Sequence, residues 1–100
     1  MNRLRLSVAA RRDLEAIQAK GLQDWGVRTV RAHMEGFDRI FVLPSEHPSA
    51  GQSQPEYGED IRVFSHKPHR ILYRAGEREL LIVRVLHAAM DVRGALGAKR

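Results

Sequence analysis

Four arginines and one histidine are the side chains of this chain best suited to chemistry, and all lie in its second half. They are Arg62, Arg70, Arg74, Arg84 and His87. A guanidinium presents a planar fork of N–H donors that fits a carboxylate or a phosphate. A histidine can carry a proton near neutral pH, or it can simply hydrogen-bond the neighbouring backbone. The set predicts a surface for an acidic partner, with both roles open for His87.

Three antiparallel strands are predicted to position these residues. Apolar runs over 60–65, 69–74 and 79–87 are separated by short turns, which is the pattern of β-hairpins. Because alternate residues of a strand point to opposite faces, we assign the wholly apolar set of each strand to the face beneath the helices. That set is Ile61, Val63, Ile71, Tyr73, Leu81, Val83 and Val85. The four arginines then share an open face with Phe64, Leu72, Leu80, Ile82 and Leu86.

A basic and partly apolar sheet face is typical of an interaction surface. The alternative is that the C-terminal tail folds over this face and that the arginines pair with Glu59, Glu77 or Glu79. The open-face assignment predicts that Arg84→Ala reduces function more than stability. It also leaves Asp13, on the first helix, as a solvated charge.

The N-terminal half predicts a strand and two helices. Residues 3–8 alternate charged and apolar side chains, and Ser7 can cap the helix that follows. Two apolar stripes at helical spacing are separated by Gly26, and Pro44 is expected to end the second helix. The stripes are Ala10, Leu14, Ile17, Gly21 and Trp25, then Val30, Met34, Phe37, Ile40 and Phe41. The predicted fold class is α+β, ordered β-α-α-β-β-β, with the helical hairpin packed on one face of an antiparallel sheet. Residues 45–58 are expected to form a functional or mobile loop.

Composition narrows the class of protein. One hundred residues predict one domain, and the absence of cysteine removes disulfides and cysteine-based zinc sites. The net charge of +5 is concentrated in residues 61–100, which hold nine Lys/Arg against three Asp/Glu. The histidines lack the HxH and HxxxH spacings of metal ligands, and no phosphate- or dinucleotide-binding motif is present, so no metal or cofactor is expected. We expect a cytoplasmic chain without a membrane segment.

Several short motifs occur in an order that resembles one known family. They are the A-x-x-D-L-x-x-I pattern from Ala10 to Ile17, Trp25–Gly26, His47–Pro48 followed by Gly51, R-I-L-Y-R at 70–74, and I-V-R-V-L-H-x-x-M-D at 82–91. Over residues 3–96 the chain resembles the ParE toxins of the RelE/ParE superfamily of type II toxin–antitoxin modules. The resemblance implies a single RelE/ParE-like domain over 1–96, with a basic tail at 97–100.

The resemblance also implies a function and partners. A ParE-type toxin is neutralised by a ParD-like antitoxin in a hetero-oligomer, and it poisons DNA gyrase by binding rather than by catalysis. The partner-binding residues would then be Arg62, Arg70, Arg74, Arg84 and His87. The RelE branch instead cleaves messenger RNA on the ribosome, and there the catalytic residues would be Arg62, Arg70, Arg84 and His87.

Departures from the nuclease pattern favour the ParE branch. Ala88 and Ala89 follow His87, residues 91–100 contain no tyrosine, and the strand at 60–65 contains one arginine and no lysine. The charge for stabilising a phosphate is present, but acid and base groups are few. A binding toxin that is not an enzyme is therefore the leading interpretation. A ribosome-dependent ribonuclease and a non-toxic basic module that binds nucleic acid or protein are the alternatives.

Overall fold

A computed structural model of the chain describes residues 3–90 and 92–96. Its elements are β1 (Arg3–Leu6), α1 (Val8–Trp25), α2 (Val27–Glu46), β2 (Gln52–Ser53), a 3₁₀ turn (Pro55–Tyr57), β3 (Ile61–His66), β4 (His69–Ala75), β5 (Glu79–His87) and α3 (Val92–Ala95). The predicted α+β order is confirmed, with β2 and α3 as additions. The predicted tail at 97–100 lies outside the described residues.

The five strands form one sheet in the order β1-β5-β4-β3-β2. The three long strands form the predicted antiparallel meander, and β2 adds antiparallel to β3. The prediction of an antiparallel sheet fails only at β1, which runs parallel to β5. A parallel pair needs a long crossover, and here the whole chain between β1 and β5 supplies it. Within the described residues, no helix is long and apolar enough to cross a membrane.

The helical hairpin begins and turns where the sequence predicts. The Ser7 hydroxyl accepts the Ala10 N–H at 2.9 Å and so caps α1. Gly26 ends the helix at a φ of 88°, a backbone conformation that side chains with a Cβ rarely adopt. A Cβ on Gly21 would lie 2.7 Å from Val30 Cγ2, so glycine at this position lets α1 and α2 approach closely.

The prediction that Pro44 ends the second helix is wrong. Helix α2 continues to Glu46 with Pro44 inside it. Proline costs the helix one N–H bond, but the next turn is held by Ser45 Oγ on the Val42 carbonyl and by the His47 N–H on the Leu43 carbonyl, both at 2.8 Å. The buried proline ring adds to the core, which offsets the missing bond.

Two apolar clusters lie on opposite sides of the sheet. The cluster on the helix-side face contains Ala10, Phe37, Phe41, Ile71, Tyr73, Leu80, Ile82 and Val85. The cluster on the other side, here called the far face, contains Ile61, Leu72 and Leu86, and Val92 of α3 covers it. The far face is therefore partly covered by the C-terminal segment, as the alternative interpretation of the sequence predicts.

The face assignment from alternation is correct for β4 and wrong for parts of its neighbours. Leu80 and Ile82 lie on the helix side, not on the open face. The cause is a bulge: Tyr73 pairs with Ile82 whereas Leu72 pairs with Arg84, so β5 carries one extra residue and its alternation shifts there.

The first meander strand also has its faces reversed. Phe64 packs on the helix side, where its ring stacks on that of Tyr73 at a centroid distance of 5.8 Å. Ile61 and Val63 instead join the far-face cluster. Each face of β3 carries apolar side chains, so its sequence does not decide which face lies under the helices. The sequence of the strand also does not predict that α3 covers the far face.

The segment predicted as a functional or mobile loop is tied to the sheet. The buried Tyr73 hydroxyl donates to the Pro48 carbonyl and accepts the Gly51 N–H, both at 2.8 Å. A Cβ at Gly51 would lie 2.5 Å from the Tyr73 oxygen, which explains the glycine. Burial raises the pKa of the Tyr73 phenol, so the ring remains protonated as this donor.

Candidate binding groove and its surroundings

Arg84 is not part of an open basic face. Its Nε and Nη2 donate to the two oxygens of Asp13 at 2.7 and 2.8 Å, and its Nη1 donates to the Ala95 carbonyl at 2.6 Å. The side chains of Arg84 and Asp13 are only 20% and 13% exposed. Asp13 is thus a structural partner and not a solvated charge. We call this contact the Arg84 anchor, since it joins α1, β5 and α3.

The position of the Arg84 anchor follows from where β1 ends. β1 pairs with β5 only as far as Ile82, so beyond this residue β5 has a strand partner on its β4 side but none on the side of β1. Ser7 Oγ donates to the Val83 carbonyl at 2.7 Å, and Asp13 Oδ2 accepts the Val85 N–H at 2.9 Å. The start of α1 therefore completes the sheet edge in place of a strand. The hydrogen bond with Asp13 also raises the pKa of Arg84.

The other three arginines do not share one surface. Arg62 pairs across the sheet with Tyr73, and its Nη1 donates to the Gly51 carbonyl at 2.7 Å. Arg70 and Arg74 lie on the far face beside Leu72, as alternation predicts. Arg74 is exposed, and its Nε donates to the Glu59 carbonyl at 3.2 Å.

Four of the five histidines come together at one end of the sheet, although they are scattered along the sequence. This histidine cluster contains His33, His66, His69 and His87. The His33 and His66 rings stack at 4.2 Å, and His33 Nε2 lies 3.0 Å from His69 Nδ1. The His66 Nε2–H donates to the His33 carbonyl at 3.0 Å. The exposed His87 accepts the Ala89 N–H on Nδ1 and lies edge-on to His69.

Part of this cluster was accessible to sequence reasoning. His66 and His69 flank a two-residue turn, so a tight hairpin pairs them directly, and His69 in turn pairs with His87 on β5. His33 comes from α2, and only the packing of the helix on the sheet brings it there. Gly36 makes room for this contact, since a Cβ at that position would lie 2.6 Å from the His66 ring.

Two members of the histidine cluster, His69 and His33, have a lowered pKa, which favours their uncharged form. Burial, followed by the neighbouring His33, His87 and His66, lowers the pKa of His69 to about 4. Burial and His66 also lower the pKa of His33. Among the described residues, no three histidine or acidic side chains are arranged to hold a metal ion.

An open groove of about 470 Å³ runs between α1, the end of β5 and the turn at Pro68. Its walls include Ile17, Trp25, Leu86 and Met90. Trp25 is 42% exposed and Met90 47% exposed, so Trp25 belongs to the apolar stripe predicted for the first helix but is not a core residue. Trp25 is the last residue of α1, at the end of the apolar stripe of this helix.

Polar groups at the rim of the groove are few and of mixed charge. Lys20 and Asp24 form an ion pair at 3.4 Å, and His69 and His87 lie at the opposite side. A concave, mostly apolar site with a few polar groups suits the apolar side chains of a partner. It is less suited to a phosphate, which requires converging cations.

The comparisons with known proteins agree on one family. The family model for the ParE toxin of the type II toxin–antitoxin system parDE matches residues 4–92. Toxin ParE1 of Caulobacter vibrioides is 33% identical, over 97% of this chain and 100% of its own length. Toxin ParE1 of Mycobacterium tuberculosis is 32% identical, over 91% of this chain and 94% of its own.

A solved structure supports the same fold. The chromosomal ParDE toxin–antitoxin system from P. aeruginosa includes a chain that superposes with a TM-score of 0.75 at 18% identity, covering 87% of this chain and 96% of that one. The helical hairpin on a mostly antiparallel sheet is thus the fold expected from the motifs. With the family model spanning nearly the whole chain, we conclude that it belongs to the ParE toxin family of type II toxin–antitoxin systems.

Proposed function

We propose that this chain is a growth-inhibiting toxin that binds DNA gyrase in the cytoplasm and is neutralised by a ParD-like antitoxin. The observation that carries the proposal is the ParE family match over residues 4–92. The chain inhibits by occupying a surface of its target, so no chemical step on the toxin is required.

The placement of the basic residues favours binding over RNA cleavage. A nuclease needs its acid, its base and its phosphate-stabilising cations within hydrogen-bond reach of one substrate. Three N–H groups of Arg84 are engaged in the Arg84 anchor, and Arg62 donates to the backbone at Gly51. Arg62 also lies four residues along β3 from His66, and His66 is at the end of the sheet that holds His87. At the rise of a β-strand, Arg62 is therefore about 13 Å from that end.

The groove is the proposed site for the antitoxin. An amphipathic antitoxin helix would place apolar side chains between Trp25 and Met90, because these are the exposed apolar walls. An acidic extended part would continue to His87 and to Arg70 and Arg74 on the far face. Arg62 and Arg84 contribute to this surface indirectly, by holding the loop and the strand that carry it.

Supercoiling by purified gyrase tests the target. We expect the toxin to inhibit supercoiling and to trap a cleavage complex on DNA, and equimolar antitoxin to reverse both effects. Unchanged supercoiling at micromolar toxin, with no trapped complex, would contradict the proposal. Cleavage of a reporter message during translation in the same preparation would favour the ribonuclease alternative.

Trp25 is the only tryptophan of the chain, so its fluorescence reports directly on the groove. We expect a blue shift of its emission when antitoxin binds, because the half-exposed indole becomes buried. Trp25→Ala should weaken antitoxin binding by about tenfold or more. The matched control is Leu43→Ala, an exposed apolar residue of α2 outside the groove, which should leave the affinity within about twofold. An affinity that is unchanged in Trp25→Ala, or reduced no more than in the control, would place the antitoxin elsewhere.

A further inference from the structure

The outer side of α2 carries a pattern that the proposed function does not use. Val27, Arg31, Met34, Asp38 and Val42 recur every three or four residues and fall within about 80° of arc around the helix. We call this face the α2 ridge. It lies beside the buried stripe of the same helix, which contains Val30, Phe37 and Phe41.

Four of the five residues of the α2 ridge are exposed, and Met34 at its middle is half-buried against the core. Val27 is 58% exposed and Val42 is 50% exposed. Arg31 and Asp38 are both exposed, and within residues 3–90 neither has an ion-pair partner. A shallow groove of about 330 Å³ runs along the α2 ridge toward α1 and is lined by Leu22, Val27 and Met34 among others.

The order of these residues is self-complementary. If two copies of α2 pack antiparallel about a two-fold axis near Met34, Val27 of one copy faces Val42 of the other. The same rotation places Arg31 opposite Asp38 of the second copy, and Asp38 opposite its Arg31. Each contact occurs twice, as two-fold symmetry requires. We propose that the α2 ridge is a homodimer interface, and that its partner is a second copy of this chain.

Charge complementarity favours a second copy over an unrelated partner. A parallel arrangement would place Arg31 against Arg31 and Asp38 against Asp38, which is repulsive, so the charges also select the antiparallel orientation. The two valine pairs and Leu22 supply apolar contact at both ends, while the ion pairs fix the register. Because exposed ion pairs stabilise little, we expect a dimer that dissociates in the micromolar range.

The α2 ridge does not overlap the groove proposed for the antitoxin. That groove uses Ile17, Trp25 and residues of β5, whereas the α2 ridge uses the outer side of α2 with Leu22 of α1. A dimer would therefore present two antitoxin grooves. The inference does not depend on the gyrase proposal, because its readout is mass rather than toxicity.

Charge reversal tests the interface directly. In sedimentation over a micromolar concentration series, we expect the wild-type chain of 11.4 kDa to approach twice its mass. Arg31→Asp and Asp38→Arg should each be monomeric throughout, because each places like charges opposite one another. An equimolar mixture of the two single variants should form dimers again, since their charges complement each other, and the double variant should dimerise alone.

Two controls distinguish loss of this interface from loss of the fold or a general change in charge. Arg39→Asp, which reverses an exposed charge of α2 turned by about 80° from Arg31, should dimerise as the wild type does. Circular dichroism should show native helix content in every variant. A wild-type chain that stays monomeric at all concentrations would overturn the proposal, as would single variants that still dimerise. Loss of antitoxin binding in Arg31→Asp without any wild-type dimer would assign the α2 ridge to the antitoxin instead.

Discussion

The Arg84 anchor and the histidine cluster both attach the helical layer to the sheet, but they do so with opposite chemistry. The Arg84 anchor pairs a partly buried cation with a bidentate carboxylate; the Ala95 carbonyl accepts a further bond from Arg84, and the Val85 N–H donates to Asp13. The histidine cluster stacks its rings at one end of the sheet, and burial lowers the pKa of His69 to about 4, so this ring is uncharged near neutral pH. The Arg84 anchor depends on keeping its charges, whereas the histidine cluster depends on keeping His69 uncharged. Their strengths should therefore respond to different changes.

The largest effect is expected from removing one member of the Arg84 anchor. Arg84→Ala leaves the Asp13 carboxylate partly buried without its partner, which should lower the free energy of unfolding by about 3 to 4 kcal/mol. Urea denaturation measures this loss. Asp13→Ala should cost a similar amount, and the double variant should cost less than the sum of the two. A loss below about 0.5 kcal/mol for Arg84→Ala would mean that Arg84 behaves as an ordinary surface arginine and that the Arg84 anchor does not stabilise the fold.

Acid should weaken the histidine cluster. The pKa of His69 is about 4 in the folded chain and near 6.5 when unfolded, so the unfolded state binds the proton first as the pH falls. Stability is complete above about pH 6.5 and is lost between there and pH 4, by about 2 to 3 kcal/mol. Urea midpoints at several pH values measure the slope.

Two histidine variants sharpen this comparison. His69→Asn should reduce the pH dependence of the free energy of unfolding between pH 7 and 4, because the side chain with the lowered pKa is gone. His47→Asn, at the exposed histidine outside the cluster, should keep the wild-type slope. If both variants retain the slope, the acid sensitivity arises elsewhere and the cluster is not its source.

These two contacts also mark where sequence reasoning succeeds and where it stops. The Ser7 cap, the Gly26 turn and the hairpin pairing of His66 with His69 all depend on residues close in the chain, and they were predictable. Asp13 and Arg84 are separated by 71 residues, and His33 and His69 by 36. Arg84 lies on the far face, as alternation predicts, since it pairs with Leu72. The expectation that it is open failed because Asp13 of α1 and the Ala95 carbonyl of α3 engage its guanidinium, and no local pattern announces either contact.

A smaller effect is expected at Ser7, which supports the same sheet edge as the Arg84 anchor without any charge. Its hydroxyl caps α1 and donates to the Val83 carbonyl, so Ser7→Ala should lower the free energy of unfolding by about 1 to 2 kcal/mol. Ser65→Ala, at an exposed serine of β3, is the control and should change it by less than about 0.5 kcal/mol. If Ser7→Ala and Ser65→Ala changed the free energy of unfolding equally, the two hydrogen bonds of the Ser7 hydroxyl would not stabilise the fold in solution.

The smallest effect on stability is expected at Arg74, the counterpart of Arg84 on the exposed far face. Its side chain is exposed, and the one hydrogen bond that it makes within residues 3–90 and 92–96 is to the Glu59 carbonyl, so Arg74→Ala should change the free energy of unfolding by less than about 0.5 kcal/mol. If the far face contacts an acidic antitoxin segment, the same substitution should weaken that complex and make its affinity less sensitive to salt. Urea denaturation and antitoxin titrations at two salt concentrations separate the effects. A variant that loses stability but binds normally would reverse the roles assigned to Arg74 and Arg84, and the far face would then be structural throughout.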